Sequence, residues 1–316
     1  MEFLLAPMEG LTYSLFRKIH HSMFPGTTYY SPFIAPDSTG SFKPKYLREL
    51  TEDTSTGLRL VPQLLANNAE AFNTVAAKLK DLGFDEVNLN LGCPSGTVFS
   101  KHKGAAMLGD LPSLDAFLDK IYAGCPLPVS IKTRMGVRST AEFPAILEVF
   151  NRYPVKQLII HARDREGQYK STPDLPGFVS AFSSCRCPAV YNGNIFSAAD
   201  LASVQSAVPE LDCVMVGRGV LENPALIRML SGGETLTLRE LREYHDTLLD
   251  AYLSRLSPNF AMDRMKAIWY YMHFLFPDSA RQIKTMMKSS RLEDYCTAAE
   301  VLFTSCRFDP LAPFEG

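Results

Sequence analysis

The sequence predicts an α/β protein: a (β/α)8 TIM barrel followed by a small C-terminal all-α bundle. Eight short β-rich apolar runs recur through its first 217 residues. Most are continuous rather than alternating, as strands covered on both faces should be. Helical patterns separate them, and the strand signal ends where a helical tail begins. An open doubly wound sheet would also alternate, but eight strands suit closure, and no Gly-x-Gly-x-x-Gly follows the first run.

The runs are Phe3–Met8, Thr28–Phe33, Leu60–Leu65, Glu86–Leu91, Pro128–Thr133, Lys156–His161, Pro188–Gly193 and Cys213–Gly217. Thr12 is placed to cap a helix ending near His21. Asn68 opens a helix over Ala69–Leu82 that Gly83 closes, and Leu114–Tyr122 ends at Gly124. Ser139 and Glu142 have capping-box spacing before Ile146–Phe150. Phe178–Phe182 is a short segment, and Ser197 with Asp200 caps Ala198–Val208, ended by Pro209.

Ser231-Gly232-Gly233 reads as a linker, which divides the chain into a barrel domain (1–233) and a helical domain (234–316). Thr237 and Glu240 form a second capping box. Leu241, Tyr244, Leu248, Tyr252 and Leu256 share one helical face, and Met262, Met265, Ile268, Trp269 and Met272 share another. Helices near Ser279–Lys288 and Leu292–Ser305 complete the bundle.

The apolar fraction of 46% supports a sizeable core, and a net charge of −2 means that a nucleic acid partner must be held by a local patch. Seven cysteines lack the spacing of a disulfide framework, no apolar run reaches the length of a membrane span, and no signal peptide is read at the start. The expectation is a cytoplasmic monomer with free thiols, without membrane or metal. His20-His21 and Cys185-x-Cys187 lack paired zinc spacing and read as structural.

Catalytic groups of such a barrel sit where strands end. In order, the ends offer Pro7-Met8-Glu9, Gln63, Asn90 with Cys93, Lys132-Thr133-Arg134, His161-Ala162-Arg163, Asn192-Gly193-Asn194 and Gly217-Arg218-Gly219, while the strand interiors read as nearly free of polar groups. Cys93, on a turn stiffened by Pro94, is poorly explained as core filling. The glycine-bearing last two loops suit a phosphate, with Arg218 adding a charge-assisted bond. Lys132 can sit by an anionic ring or carbonyl, and Gln63 offers a donor and an acceptor to a planar heterocycle. Flavin mononucleotide fits. A sugar phosphate fits too, and Lys132 as a Schiff-base lysine is the rival role.

Six segments, in order, resemble the tRNA-dihydrouridine synthases. They are Leu5-Ala6-Pro7-Met8-Glu9-Gly10, Asn88 to Ser95, Val129 to Gly136, Ile160-His161-Ala162-Arg163, Asn192-Gly193-Asn194-Ile195 and Val216-Gly217-Arg218-Gly219. The resemblance is strong over residues 4 to 227 and looser in the tail. It implies flavin mononucleotide (FMN), re-reduced by a nicotinamide cofactor, usually NADPH, and a uridine of tRNA as substrate. Cys93 would be the general acid that protonates C5 while hydride goes to C6. Pro7, Met8 and Glu9 would approach the isoalloxazine, Gln63, Lys132 and His161 would bond its ring and ribityl side, and Asn192, Gly193, Asn194, Gly217 and Arg218 would hold the phosphate. Asn90 and Arg134 would face the uridine.

The tRNA body would be met by basic residues. Lys101, Lys103, Arg138, Arg163, Arg165 and Lys170 stand at the rim, and Arg264 and Lys266 match an Arg-x-Lys of the family's tail. Arg281, Lys284, Lys288 and Arg291 would share one face if a helix ran through them. The sequence departs from the family at Tyr13 (usually aspartate), at Gly96 (usually basic), at Asn194 (usually an acid) and in the Leu65-Ala66-Asn67 loop, which lacks a usual glycine. A flavin barrel acting on a small pyrimidine-like molecule and an inactive tRNA-binding relative are the alternatives.

Overall fold

A computed structural model of the chain describes residues 1–37, 39–52 and 57–314. Its strands are β1 (Glu2–Leu5), β2 (Thr28–Tyr30), β3 (Arg59–Val61), β4 (Gln63–Leu64), β5 (Val87–Leu91), β6 (Val129–Arg134), β7 (Leu158–His161), β8 (Ala189–Asn192) and β9 (Cys213–Val216). They form one sheet in the order β3-β2-β1-β9-β8-β7-β6-β5-β4, every pairing parallel. The two ends of that order flank Pro62, which has no N–H and interrupts the ladder. Its carbonyl still accepts the Asn88 amide at 2.8 Å. β3 and β4 are therefore two halves of one stave, and eight staves close the barrel.

Helices Ser14–Met23, Ala69–Asp81, Leu111–Gly124, Phe143–Phe150, Leu175–Ser184 and Ala198–Ala207 surround it. Asn68 and Ser197 cap as expected, and Ser139 with Glu142 forms its capping box on a 3-10 turn. Thr12 does not cap the first helix: its hydroxyl accepts the Met8 amide at 2.9 Å, so it braces the loop after β1. Leu111–Gly124 begins earlier than expected because Asp110 caps it. The helix Pro44–Thr51 was not anticipated; only Leu50 of it is buried, and charged residues mask its periodicity. Several strands also end sooner than the apolar runs do, β1 stopping at Leu5 rather than Met8 and β2 at Tyr30 rather than Phe33, whereas β5 and β7 end where their runs do.

Among the described residues, the tail has helices Leu238–Leu253, Pro258–Met272, Ala280–Lys288 and Leu292–Ser305. Trp269 is fully buried there and donates to the Tyr295 hydroxyl at 3.0 Å, which His245 also meets at 2.9 Å. Leu256 lies beyond the first of these helices and is exposed rather than on its buried face. The tail packs on the barrel through Phe16 and Tyr244, whose rings meet edge to face, and through Arg264, which donates to the Gly10 carbonyl at 2.5 Å. No helix among the described residues is long and apolar enough to cross a membrane.

Candidate active site

β5 alternates Val87, Leu89 and Leu91 toward the helices with Asn88 and Asn90 toward the barrel axis. The expectation of an apolar barrel interior fails here. Ser130 donates to Glu86 at 2.6 Å, Asn88 to Ser130 at 2.9 Å, Gln63 to Asn88 at 2.8 Å and Asn90 to Gln63 at 2.7 Å. The Asn90 oxygen then accepts the backbone amides of Gly92 at 3.0 Å and Cys93 at 2.9 Å. Every donor points the same way, from the Cys93 turn down to a buried carboxylate that Lys156 balances. Such aligned bonds reinforce one another. With an amide donor at one end and a carboxylate at the other, each side-chain amide has one orientation that satisfies the chain.

The turn is also clamped from outside. Arg134 donates to the Gly92 carbonyl at 2.9 Å and to the Asp164 carbonyl at 2.8 Å, and Arg165 reaches the Pro94 carbonyl at 3.3 Å while stacking on Phe99. Burial pushes the Cys93 thiol above its ordinary range, against the opposing pull of the Ser95 amide and of Arg134. The group is thus a thiol at neutral pH, suited to giving a proton rather than attacking as a thiolate.

Cys93 opens onto a cleft of about 270 Å³ that Pro7, Met8, Glu9, Gln63, Asn90, Lys132, Arg134 and His161 also line. A smaller pocket of about 50 Å³ adjoins it, lined by Arg163, Asn192, Gly193, Gly217 and Arg218 and sharing Met8, Lys132 and His161. Most of the strand-end residues named from the sequence line these two pockets, but Thr133, Ala162 and Asn194 do not. Asn192 ties two staves together, accepting from Lys132 at 2.8 Å and donating to the Met215 carbonyl at 2.8 Å. Gly219 is needed for close approach, since a Cβ there would lie 2.4 Å from the Ile195 carbonyl.

Cations dominate these pockets. Among the described residues no carboxylate pairs with Lys132, Arg134 or Arg163, and none lines the smaller pocket. Burial, with Arg134 beside it, lowers the Lys132 ammonium to about 7. Burial and the surrounding cations, Arg134 first, hold His161 neutral. Its Nε2 meets the Arg163 guanidinium, a donor only, at 3.1 Å, so the ring proton sits on Nδ1. Asn194 acts through its side chain, not only its backbone: its oxygen accepts from Arg163 at 2.9 Å and Arg218 at 2.8 Å. An acid there would neutralise part of the charge that Asn194 leaves in place. A donor set of this kind calls for an anion, and a phosphate with a planar ring beyond it fits.

Other predicted positions fall outside the pockets. Lys101 and Lys103 stand in the loop after the cysteine turn, where Asn67 holds the Lys101 carbonyl at 3.0 Å. Gly96 is open, with nothing within 4 Å of an added Cβ, so packing does not exclude a longer side chain there. Tyr13 donates to Glu9 at 2.7 Å and lies under Arg264, which supplies a brace for the first loop. Arg264 and Lys266, expected on the tRNA surface, each hold a backbone carbonyl of the chain, at Gly10 and at Ser289. Lys284 and Lys288 are exposed on Ala280–Lys288, but the helix ends there, and Arg291 instead pairs with Glu293, so the four-residue basic face does not form.

A profile of the family described as Dihydrouridine synthase (Dus) matches residues 4–291. The chain belongs to the dihydrouridine synthase family. Membership makes it an enzyme, a flavin-dependent oxidoreductase built on a (β/α)8 barrel. It is 31% identical over 239 residues to the tRNA-dihydrouridine(16) synthase of Ralstonia nicotianae, covering 72% of each chain. It is 30% identical over 244 residues to the protein of that name in Escherichia coli, covering 74% of this chain and 76% of the relative. A longer alignment, 25% identical over 305 residues, spans 92% of this chain and 95% of a Pseudomonas syringae protein of the same name. In fold, the chain is similar to morphinone reductase, with a TM-score of 0.51 at 14% identity over 74% of this chain and 86% of that one.

Among the pocket residues that escaped the motif reading, two tyrosines stand out. Tyr169, in the loop after β7, lies with the Arg218 guanidinium 4.3 Å from its ring centre. Tyr271 brings the helical region into the cleft. The available signals were an aromatic residue in a charged strand-end loop and a Tyr270-Tyr271 pair off the buried stripe of its helix.

Proposed function

We propose that the chain reduces one uridine of tRNA to dihydrouridine, with Cys93 giving the proton to C5 and hydride arriving at C6. The observation that carries this is the neutral thiol of Cys93, held on a turn fixed by Asn90 and Arg134 and facing a cation-lined cleft. Bound FMN, re-reduced by NADPH, supplies the hydride.

The residues of the chain do the rest. Gly193, Gly217 and Arg218, with Arg163 behind them, would hold the phosphate, and Lys132 and His161 would bond the ring and ribityl side. Pro7 to Glu9, stapled by Thr12, form the facing wall. After proton transfer the Cys93 thiolate lies near Lys132 and Arg134, which stabilise it until solvent restores the proton. The uridine must leave its stack, at a cost of a few kcal/mol. Tyr169 and Tyr271 give the extruded base aromatic surface, and Lys101, Lys103 and the exposed Lys284 and Lys288 meet phosphates of the tRNA body. The helical region, from about residue 234, is read as the tRNA-orienting domain.

Several relatives carry position 16 in their names, which supports uridine 16 as the target. The test is to map dihydrouridine in tRNA from cells lacking the protein and cells regaining it. Loss and return at position 16 alone is expected; an unchanged map would refute the reading.

A further inference from the structure

The family match stops at residue 291, yet the chain continues and returns to the barrel. After helix Leu292–Ser305 the Asp309 amide donates to the Leu275 carbonyl at 2.9 Å, and Asn223, just past the β9 loop, donates to the Pro310 carbonyl at 3.1 Å. Phe314 then stacks on Phe196 of the β8 loop, ring centres 4.1 Å apart and 12° from parallel, with Phe274 edge-on at 4.8 Å. The Arg218 guanidinium lies 5.3 Å from the Phe314 ring, 5.4 Å from Phe196 and 4.3 Å from Tyr169.

Arg218 and Arg163 share one acceptor, the Asn194 oxygen, so two like charges sit side by side. Rings stacked around a guanidinium attract it electrostatically and also restrict its rotamers.

We propose that the C-terminal segment Arg307–Phe314 braces the phosphate cradle from behind, and that Phe314 is a positioning residue that keeps Arg218 aimed at the cofactor phosphate. This rests on the reading of the β8 and β9 loops as the phosphate site of FMN. Retention of the cofactor then depends on residues outside the family's shared span, and the strap couples the helical region to cofactor binding.

The test measures dissociation of FMN and of riboflavin, which lacks the phosphate, by flavin fluorescence in the full-length protein. Phe314→Leu should weaken FMN binding about tenfold, the size of one favourable cation–π contact. It should leave riboflavin unchanged, which also reports an intact fold. Phe314→Trp should restore FMN binding, and Phe314→Leu should add nothing in an Arg218→Gln background. Wild-type FMN affinity in Phe314→Leu, with Arg218→Gln weakened, would overturn the role of Phe314 and leave the phosphate reading standing. Wild-type affinity in Arg218→Gln would overturn both. Equal weakening toward FMN and riboflavin in Phe314→Leu would show a general structural role and also overturn the proposal.

Discussion

The side-chain oxygen of Asn90 accepts the backbone amide of Cys93 at 2.9 Å, and its nitrogen donates to Gln63 at 2.7 Å. Asn90 thus joins the cysteine turn to the buried amide chain that ends at Glu86. Sequence reasoning had it facing the uridine, and the two roles predict different kinetics. As a positioning residue, Asn90→Leu should lower kcat on the order of 100-fold with KM for tRNA and flavin affinity little changed, because a small displacement of the acid carries a large cost. Steady-state kinetics decide: a raised KM at unchanged kcat would make Asn90 a uridine contact instead.

Lys132 titrates at about 7 in the ligand-free chain because it is buried near Arg134. Its ordinary value is near 10.5, so the unfolded chain holds more protons between about 7 and 10.5, and this group adds stability as pH rises through that window. An anionic flavin should raise it again. FMN binding at pH 8 should therefore take up close to one proton, and affinity should fall as pH rises above about 7. Calorimetry in two buffers of different ionisation enthalpy measures the uptake, which Lys132→Met should abolish.

The Asn194 bridge between Arg163 and Arg218 gives a third prediction. Arg163 is lowered to about 10 by burial and then by Arg218, the guanidinium with which it shares the Asn194 oxygen. Asn194→Asp should place a negative charge directly between the two guanidinium groups. It should raise thermal stability by about 1 kcal/mol while weakening FMN and inorganic phosphate roughly tenfold. Thermal melts and phosphate titrations should move in opposite directions.

Much of the barrel is legible in the sequence because its staves are buried on both faces, so β7 and β9 read as unbroken apolar runs. The strand-end residues are legible because polar groups in such places have no packing reason to be there. The amide chain is not, since Asn88 and Asn90 alternate with leucines and an alternating strand does not say which face meets water. The run Leu60–Leu65 reads straight through Pro62 as one strand, so the sequence shows the single stave but not the break between β3 and β4 that the missing N–H makes. Tyr271 reaches the cleft only through the docking of the tail, signalled locally neither by Arg264 nor by Gly10. The tail itself shows the same limit, since a basic residue's spacing does not reveal that Arg264 and Lys266 already hold carbonyls.

The most direct test of the account is single-turnover reduction of tRNA by the Cys93→Ala protein loaded with FMN and reduced by NADPH. Cys93 is held by backbone bonds that alanine retains, and its thiol is neutral. The variant should bind FMN as wild type does and accept electrons from NADPH, yet form dihydrouridine at least 100-fold more slowly, as loss of a general acid implies. Formation of dihydrouridine at the wild-type rate would contradict the assignment of Cys93 as the proton donor.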